Sequence, residues 1–235
     1  MCGRYAVYAE TEELIAAFAV QRDAATPHLE PRYNVAPTQD VPIVVAERGA
    51  RRLRLVRWGL VPSQWSTPDE RRAPLINARA ESVASRPVFR HAYARSRCLI
   101  PASGFFEWRR TDGVRQPYFV TIDSGRPLAF AGLHDVWQRD DQPPLPSCTI
   151  ITVPPNSLVA GLHDRMPALL AAEDWGPWLD PAAPREALRT LLRPAEVRLA
   201  IYPVTPRMNH HAYEQPDAVA PLAAEAGAEQ LSLEW

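Results

Sequence analysis

The sequence VPIVVAERGARRLRLVRW, residues 41–58, indicates the fold class of this chain. Two strand-like runs, residues 41–47 and 52–58, flank a turn around Gly49, and this arrangement is typical of a β-hairpin. Beyond this segment, further strands are predicted at residues 118–122, 128–132, 148–153 and 197–202. The hairpin and the later strands alternate with few long helical patterns. The sequence therefore predicts one mixed α+β domain in a chain of 235 residues.

Helices are predicted at three places along the chain. Thr11 should cap a first helix over residues 12–20, because the acidic residues that follow it favour the first turn of a helix. A second helix is predicted to start at Glu173. A third is predicted over residues 185–192, with Pro184 at its first position.

The chain begins Met1-Cys2-Gly3-Arg4 and contains no lysine, since all 26 basic residues are arginine. The N-terminal amine is therefore the only aliphatic amine that the protein offers. If Met1 is removed, this amine and the Cys2 thiol stand on adjacent carbons. Such a 1,2-aminothiol converts an aldehyde to a Schiff base and then to a thiazolidine, and both groups titrate at about pH 8 to 8.5. The alternative is that Cys2 is a small residue after the initiator and that the absence of lysine reflects codon bias.

Composition places the chain in a class of protein. No apolar run approaches 18 residues and no signal peptide is recognisable, so we expect a cytoplasmic protein. The three cysteines, Cys2, Cys98 and Cys148, are widely separated and form no C-x-x-C pair. This spacing argues against a disulfide framework and against a structural zinc site.

The net charge of −1 hides an asymmetry between the two halves of the chain. Residues 1–126 hold 19 arginines and 13 acidic residues, whereas residues 127–235 hold 7 arginines and 14 acidic residues. The basic half also contains Trp58, Trp65 and Trp108. Arginine interleaved with aromatic residues is typical of a groove for single-stranded nucleic acid. The alternative is a solvated basic face with its tryptophans in the core.

Three short segments hold residues that are suited to chemistry. Asn77 and Arg79 lie two apart, so an extended backbone places an amide and a guanidinium on the same side. Glu107 lies between aromatic residues, where desolvation raises the pKa of a carboxyl group towards values useful in acid–base catalysis. His163 is followed by Asp164, a carboxylate able to orient its imidazole. Taken singly, each residue has a simpler interpretation, as a turn residue, a strand-edge ion pair or a histidine without a catalytic role.

Nine sequence blocks run in order from residue 1 to residue 167, and the similarity that they define continues to about residue 209. They are MCGRY (1–5), RYNVAPT (32–38), WGLVPS (58–63), NARAE (77–81), RCLIP (97–101), GFFEW (104–108), AGL (131–133), TIIT (149–152) and HDRMP (163–167). Together these blocks resemble the SRAP family, the SOS response-associated peptidases that are also called abasic-site processing proteins. The resemblance implies an α+β fold in which mostly antiparallel sheets curl into a barrel-like core with flanking helices. We expect the SRAP-like domain to span residues 1–215, and the composition of the tail over residues 216–235, which is rich in Ala and Glu, predicts that it packs loosely.

The resemblance also implies a function. The chain would bind single-stranded DNA that contains abasic sites and would form a covalent thiazolidine crosslink through Cys2 after removal of Met1. The crosslink would shield the abasic site in the DNA damage (SOS) response. Neither a metal nor an organic cofactor is implied. We expect a monomer that associates with the nucleoid when bound to DNA.

The family likeness assigns roles residue by residue. Cys2 would be the nucleophile, Asn77 would hold the N-terminal residue, Glu107 would relay a proton at the Cys2 amine, and His163 would act as general acid and base at the sugar. DNA-binding roles fall on Arg4, Pro37, Trp65, Arg79 and Trp108. Residues 210–213 do not continue the family's last motif after Asn209, so we carry over no contacts from that segment.

Two other classes of function remain open from the sequence. One is a cysteine peptidase with Cys2 as nucleophile and His163 as base, which requires hydrogen-bond reach between them. The other is a non-catalytic module that binds single strands through its arginine and aromatic residues. A denaturation-resistant adduct with an abasic strand distinguishes the covalent function from both.

Overall fold

The computed structural model describes residues 2–68, 73–111, 113–122, 125–139, 142–195 and 198–222. Within them the strands are β1 (Tyr5–Val7), β2 (Arg32–Val35), β3 (Asp40–Glu47), β4 (Ala50–Trp58), β5 (Asn77–Arg79), β6 (Arg97–Ala102), β7 (Gly104–Thr111), β8 (Val114–Ile122), β9 (Leu128–Trp137), β10 (Leu145–Val153), β11 (Met166–Pro167) and β12 (Leu199–Pro203). The helices are α1 (Thr11–Phe18), α2 (Pro87–Arg95), α3 (Trp175–Leu179) and α4 (Arg185–Leu191), with 3-10 turns at Val159–Gly161, Ala172–Asp174, Pro206–Asn209 and Pro216–Val219.

The predicted hairpin is confirmed as β3 and β4. The two strands pair antiparallel along their full length, and the Glu47–Ala50 pair leaves Arg48 and Gly49 as a two-residue turn. Both turn residues have positive φ, 50° and 78°. Positive φ at both central positions matches the right-handed twist of the flanking strands, and glycine adopts it without steric cost.

The hairpin belongs to a closed barrel. The strands follow one another in the order β10, β4, β3, β6 and β9, and β9 pairs again with β10 to close the ring. The short strands β5 and β11 attach to β10 outside this ring, and β10 runs parallel to both β4 and β5. The predicted barrel-like core is thus confirmed, and β10 is the strand from which the site segments extend.

A second sheet packs against the barrel. Its strand order is β12, β8, β7, β1 and β2. Tyr5 of β1 makes edge-on contacts with Trp58 and Phe130 of the barrel, at ring-centroid distances of 5.3 and 5.8 Å. Phe105 of β7 meets Phe130 at 6.1 Å. All four rings are fully buried, and their burial is the main force that holds the two sheets together.

The first helix differs from its prediction at its N-terminus. Helix α1 begins at Thr11, and the residue before it, Glu10, makes no side-chain cap. The Thr11 hydroxyl instead accepts a hydrogen bond from the Leu29 N–H at 2.8 Å. Thr11 therefore anchors the long loop after α1 to the helix, so its prediction as the capping residue was wrong.

The other predicted segments lie in regular structure. The strands predicted at residues 118–122, 128–132 and 148–153 fall within β8, β9 and β10. The strand predicted over residues 197–202 begins only at Leu199, as β12, so Arg198 precedes it, and residue 197 lies outside the described residues. The helix predicted from Glu173 begins as the 3-10 turn Ala172–Asp174 and continues as α3. The helix predicted over residues 185–192 is α4, with Pro184 immediately before its first residue.

The start of the predicted tail packs on the second sheet. Ala218 is fully buried, the Tyr202 hydroxyl donates to the Val219 carbonyl at 3.1 Å, and the Leu222 N–H donates to the Pro203 carbonyl at 2.9 Å. Residues 216–222 thus contact the domain, whereas residues 223–235 lie outside the described part of the chain. The domain boundary at residue 215 stays a prediction. None of the described helices has the length and apolar character needed to cross a membrane.

Candidate active site

A cleft of about 450 Å³ lies where β1 and β7 of the second sheet meet the loop that follows β10. The chain's N-terminal segment forms one wall, and the β7–β8 hairpin forms another. The lining residues are Gly3, Arg4, Glu107, Trp108, Arg110, Arg115, Leu162, His163 and Asn209. The cleft therefore gathers residues that are far apart in the sequence, and two of the predicted catalytic residues are among them.

Cys2 lies fully buried next to this cleft. The Asn77 side-chain amide donates a hydrogen bond to the Cys2 carbonyl at 2.9 Å, and Asn77 is held in place because β5 pairs with β10. Burial raises the pKa of the Cys2 thiol well above its ordinary value. The thiol is therefore protonated at neutral pH, and any reaction at its sulfur requires a base to accept the proton.

Asn77 and Arg79 lie on the same side of β5, as predicted from their spacing. Ala78 between them points inward and is fully buried, whereas Arg79 is exposed. The Asn77 Oδ1 atom is buried and has no hydrogen-bond donor among the described residues. An unpaired buried acceptor is costly in a folded protein, and it is available to a ligand group that donates a hydrogen bond.

Glu107 occupies the barrel-facing side of β7, two residues beyond Phe105. Its side chain is 2% exposed, and its Oε1 atom has no hydrogen-bond partner among the described residues. Desolvation by burial raises the pKa of Glu107 to about 8. At neutral pH this carboxyl group is mostly protonated, and it is able to give or take a proton near the pH of the cell.

The shifted carboxyl group predicts a pH-dependent stability. Between about pH 5 and pH 8 the folded protein keeps a proton on Glu107 that the unfolded chain has released. The free energy of unfolding should therefore fall as pH rises through this window, by up to about 1.4 kcal/mol per pH unit relative to Glu107→Gln, which does not titrate. Urea unfolding of both proteins at pH 5, 6.5 and 8 measures the difference. Parallel stability curves for the two proteins would contradict the buried, titrating carboxyl group.

His163 follows the 3-10 turn Val159–Gly161 and is partly buried. The Arg165 N–H donates to its Nδ1 atom at 3.0 Å, and Asp164 Oδ1 lies 2.8 Å from the same nitrogen. Burial lowers the pKa of His163, so the neutral ring predominates at neutral pH, with Nδ1 as acceptor and the proton on Nε2. Once the ring is protonated, Nδ1–H donates to Asp164 instead. Both states of the imidazole thus have a partner, as a general acid and base requires.

An ion pair fixes the loop that carries His163. Arg165 is nearly buried and donates to both carboxylate oxygens of Glu81, at 2.6 and 3.0 Å, and also to the Thr152 carbonyl. Glu81 follows β5, and Thr152 lies in β10. The pair therefore ties the loop to the same two strands that position Asn77. Both Arg165 and Glu81 belong to the sequence blocks, but they are 84 positions apart, so the sequence did not indicate that they form a pair.

The C-terminal segment contributes residues that the sequence did not indicate. Arg4 donates to Asn34 Oδ1 at 2.7 Å and to the Met208 carbonyl at 3.2 Å, while Asn34 is fully buried. The Trp108 indole N–H donates to Asn209 Oδ1 at 2.6 Å. Both predicted DNA-binding residues in the cleft, Arg4 and Trp108, are thus held in place by this segment. The family resemblance assigns no contact to this segment because residues 210–213 do not continue the family's last motif, although Met208 and Asn209 precede that departure.

The remaining predicted DNA-binding residues do not line the cleft. Trp65 borders a smaller cavity of about 90 Å³ with Thr38, whose neighbour in sequence is Pro37. Arg79 extends from β5 on the exposed side. Trp65 thus borders a cavity that shares no lining residue with the cleft, and the DNA-binding roles of Pro37, Trp65 and Arg79 stay predictions. In the described ranges, no three His, Cys, Asp or Glu side chains are grouped to hold a metal ion.

Comparison with known proteins identifies related chains. The family model for the SOS response associated peptidase (SRAP) matches residues 1–211. The abasic site processing protein YoqW of Bacillus subtilis is 35% identical over 222 residues, which cover 93% of this chain and 99% of that protein. The mouse abasic site processing protein HMCES is 29% identical over 270 residues, covering 94% of this chain and 76% of the relative. A crystal structure of a Bacteroides thetaiotaomicron protein superimposes with a TM-score of 0.86 at 24% identity, covering 94% of this chain and all of the other, which establishes the shared fold.

Proposed function

The chain belongs to the SRAP family, and we propose that it processes abasic sites in single-stranded DNA by forming a covalent crosslink through Cys2. One observation carries the proposal. The N-terminal segment with Cys2, the protonated carboxyl group of Glu107 and the neutral imidazole of His163 converge on one cleft that is lined by arginines. The relatives at 35% and 29% identity are named abasic site processing proteins, and this supports the choice of substrate.

The proposed reaction starts after Met1 has been removed. The Cys2 amine attacks the aldehyde carbon of the ring-opened abasic sugar, and loss of water gives the Schiff base. The Cys2 sulfur then adds to the same carbon and transfers its proton to a base, which closes the five-membered thiazolidine. The overall reaction joins one aminothiol to one aldehyde and releases one water, so it needs neither an oxidant nor a reductant.

The sulfur explains why the crosslink protects the strand. An abasic aldehyde undergoes β-elimination, which breaks the DNA, and a protonated Schiff base accelerates this step because it withdraws electrons more strongly. Addition of the Cys2 sulfur converts that carbon to a saturated one and removes the electron-withdrawing group. A protein that offered an amine alone would behave as a lyase. The adjacent thiol favours shielding of the site in the DNA damage response.

Glu107 and His163 have separate roles in this scheme. Glu107, with a pKa of about 8, protonates the departing hydroxyl as water leaves and then accepts the thiol proton as the ring closes. His163 moves a proton at the sugar oxygen when the sugar ring opens, and it moves the same proton back on reversal. Asn77 holds the Cys2 main chain still during both steps.

One experiment tests the proposal against the alternatives. Purified protein is mixed with single-stranded oligonucleotides that differ by one abasic site, and denaturing electrophoresis is used to look for an adduct. We expect an adduct with the abasic strand alone, and intact mass of the protein should show that the adduct forms only on chains that have lost Met1. Cleavage of added peptides without an adduct would support a cysteine peptidase. Salt-sensitive binding without an adduct would support a non-catalytic module.

Arg79 supplies a quantitative prediction for the non-covalent step. Arg79→Ala should weaken binding of single strands of any base sequence, because the exposed guanidinium is expected to contact a phosphate. The slope of log affinity against log salt should become shallower by about 0.7, the value for one lost phosphate contact on a single strand. Fluorescence anisotropy on two undamaged strands of different sequence measures the affinity at each salt concentration. Loss of affinity for only one of them would mean that Arg79 contacts a base.

A further inference from the structure

The β7–β8 hairpin carries two arginines in an unfavourable arrangement. Arg110 and Arg115 are directly opposite each other in the antiparallel pair, and both line the cleft. Like charges at such positions repel and destabilise the pairing. Within the described part of the chain, no carboxylate forms an ion pair with either guanidinium. Two facing cations without a counter-ion are expected where an anion binds between them.

The neighbouring residues give this arginine pair a fixed geometry. Arg115 lies over the indole ring of Trp108 at 4.5 Å from its centroid, and its carbonyl accepts a hydrogen bond from the Asn209 side chain at 3.3 Å. Repulsion from Arg115 adds to burial in lowering the pKa of Arg4. Three cations thus face one cleft, and Trp108 limits where Arg115 is able to move.

The position of the pair indicates which part of a DNA strand it would meet. Arg110 lies three residues beyond Glu107 on β7, which corresponds to about 10 Å along the strand. This distance is comparable to one or two nucleotides of an extended strand. Arg79 is exposed on β5, which belongs to the other sheet. A strand with its abasic sugar in the cleft therefore meets arginines on two sides.

We propose that Arg110 and Arg115 together bind one backbone phosphodiester on one flank of the abasic site. A guanidinium binds phosphate oxygens in a bidentate manner, and two of them on facing strands enclose a single phosphate. The proposal rests on the function proposed above, since it places the abasic sugar in the cleft. It extends that function by giving the protein a defined contact on one flank, which fixes the direction of the strand.

The test measures binding without crosslinking. The strand carries a tetrahydrofuran analogue of the abasic site, which has no aldehyde, so affinity is measured independently of the covalent step. The double variant Arg110→Ala/Arg115→Ala should make the salt dependence shallower by about 0.7, since the two arginines share one phosphate. A change near 1.4 would overturn the shared contact in favour of two separate ones, and no change would overturn the site.

A second set of strands locates the phosphate. In each strand one phosphodiester near the analogue is replaced by a neutral methylphosphonate. We expect the double variant and the replacement to be non-additive at one linkage on one flank, because both remove the same contact. Additive losses at every linkage would overturn the proposal, even if a natural abasic strand still forms its adduct.

Arg109 provides the matched control. It is exposed and neighbours Arg110, but it does not line the cleft, and its guanidinium lies 4.9 Å from the centre of the Tyr118 ring. Arg109→Ala removes the same charge from the same hairpin. It should weaken binding slightly and show no coupling to any single linkage. Equal coupling for Arg109→Ala would mean that only the overall charge of the hairpin matters.

Discussion

Cys2→Ala should abolish the denaturation-resistant adduct with abasic single strands. Alanine keeps the N-terminal amine and therefore permits a Schiff base, but it provides no sulfur to close the ring. The adduct that survives should appear only after borohydride reduction, and the amount of cleaved DNA should rise because the Schiff base promotes β-elimination. Denaturing electrophoresis with and without borohydride measures the unreduced adduct, the reduced adduct and the cleaved DNA. An unreduced adduct at the wild-type yield would contradict thiazolidine formation.

The chain provides a matched control for this variant. Cys98 is also a fully buried cysteine with a raised thiol pKa, but it lies in β6 of the barrel. Cys98→Ala should leave the adduct unchanged. Binding of an undamaged strand should be the same for Cys2→Ala and for the wild type, because an undamaged strand offers no aldehyde with which Cys2 could react.

His163→Ala should slow both formation and reversal of the adduct, each by roughly 10²- to 10⁴-fold. The same group opens the sugar ring and protonates the same oxygen on the way back, so microscopic reversibility requires that both rates fall together. Single-turnover time courses measure formation. Chase experiments with excess unlabelled abasic strand measure reversal.

The pH dependence separates catalysis by His163 from a structural role. Burial lowers the pKa of His163, so the neutral ring is its resting form and the wild-type rate of formation should fall as the ring becomes protonated in acid. His163→Ala should lose only the part of this fall that comes from protonation of the imidazole, while the fall that comes from protonation of the Cys2 amine, which titrates at about pH 8, should remain in both proteins. The exposed His28, which pairs with Glu30 and borders a different cavity, gives the control variant His28→Ala. Unchanged rates in His163→Ala would contradict the assignment of His163 as acid and base.

Much of the fold follows from short-range patterns. The hairpin of β3 and β4 was predictable because an aliphatic-rich run, a turn with Gly49 and a second run all lie within 18 residues. Closure of the barrel depends on the pairing of β9 with β10 and of β3 with β6, which join residues far apart in the sequence. The expectation of a barrel therefore came from the family resemblance. The role of Thr11 was missed because its acceptor function is satisfied by Leu29, a partner beyond the helix.

The same distinction between short-range patterns and long-range contacts applies to the residues of the candidate site. Glu107 was predictable because aromatic neighbours in sequence already indicate desolvation, and its position in the cleft agrees with that reasoning. The Arg165–Glu81 pair, the contact of Asn34 with Arg4 and the contact of Asn209 with Trp108 depend on tertiary packing. No local pattern indicates them. The facing positions of Arg110 and Arg115 depend on the register of β7 with β8, which the sequence alone did not define.

The division of the site between two sheets has a consequence for how the protein loses activity. Glu107 belongs to the second sheet, whereas Asn77 and the loop of His163 are attached to the barrel through β10. Aromatic packing between Tyr5, Phe105 and Phe130 sets the spacing between the sheets, and such packing weakens gradually as denaturant solvates apolar surface. A small sliding motion between the layers would separate the proton donor from the reacting carbon while both hydrogen-bonded sheets remain intact. The yield of crosslinked DNA would then depend on how the two sheets are aligned. We expect this yield to fall at lower urea concentrations than those at which the circular dichroism signal of the β-strands is lost.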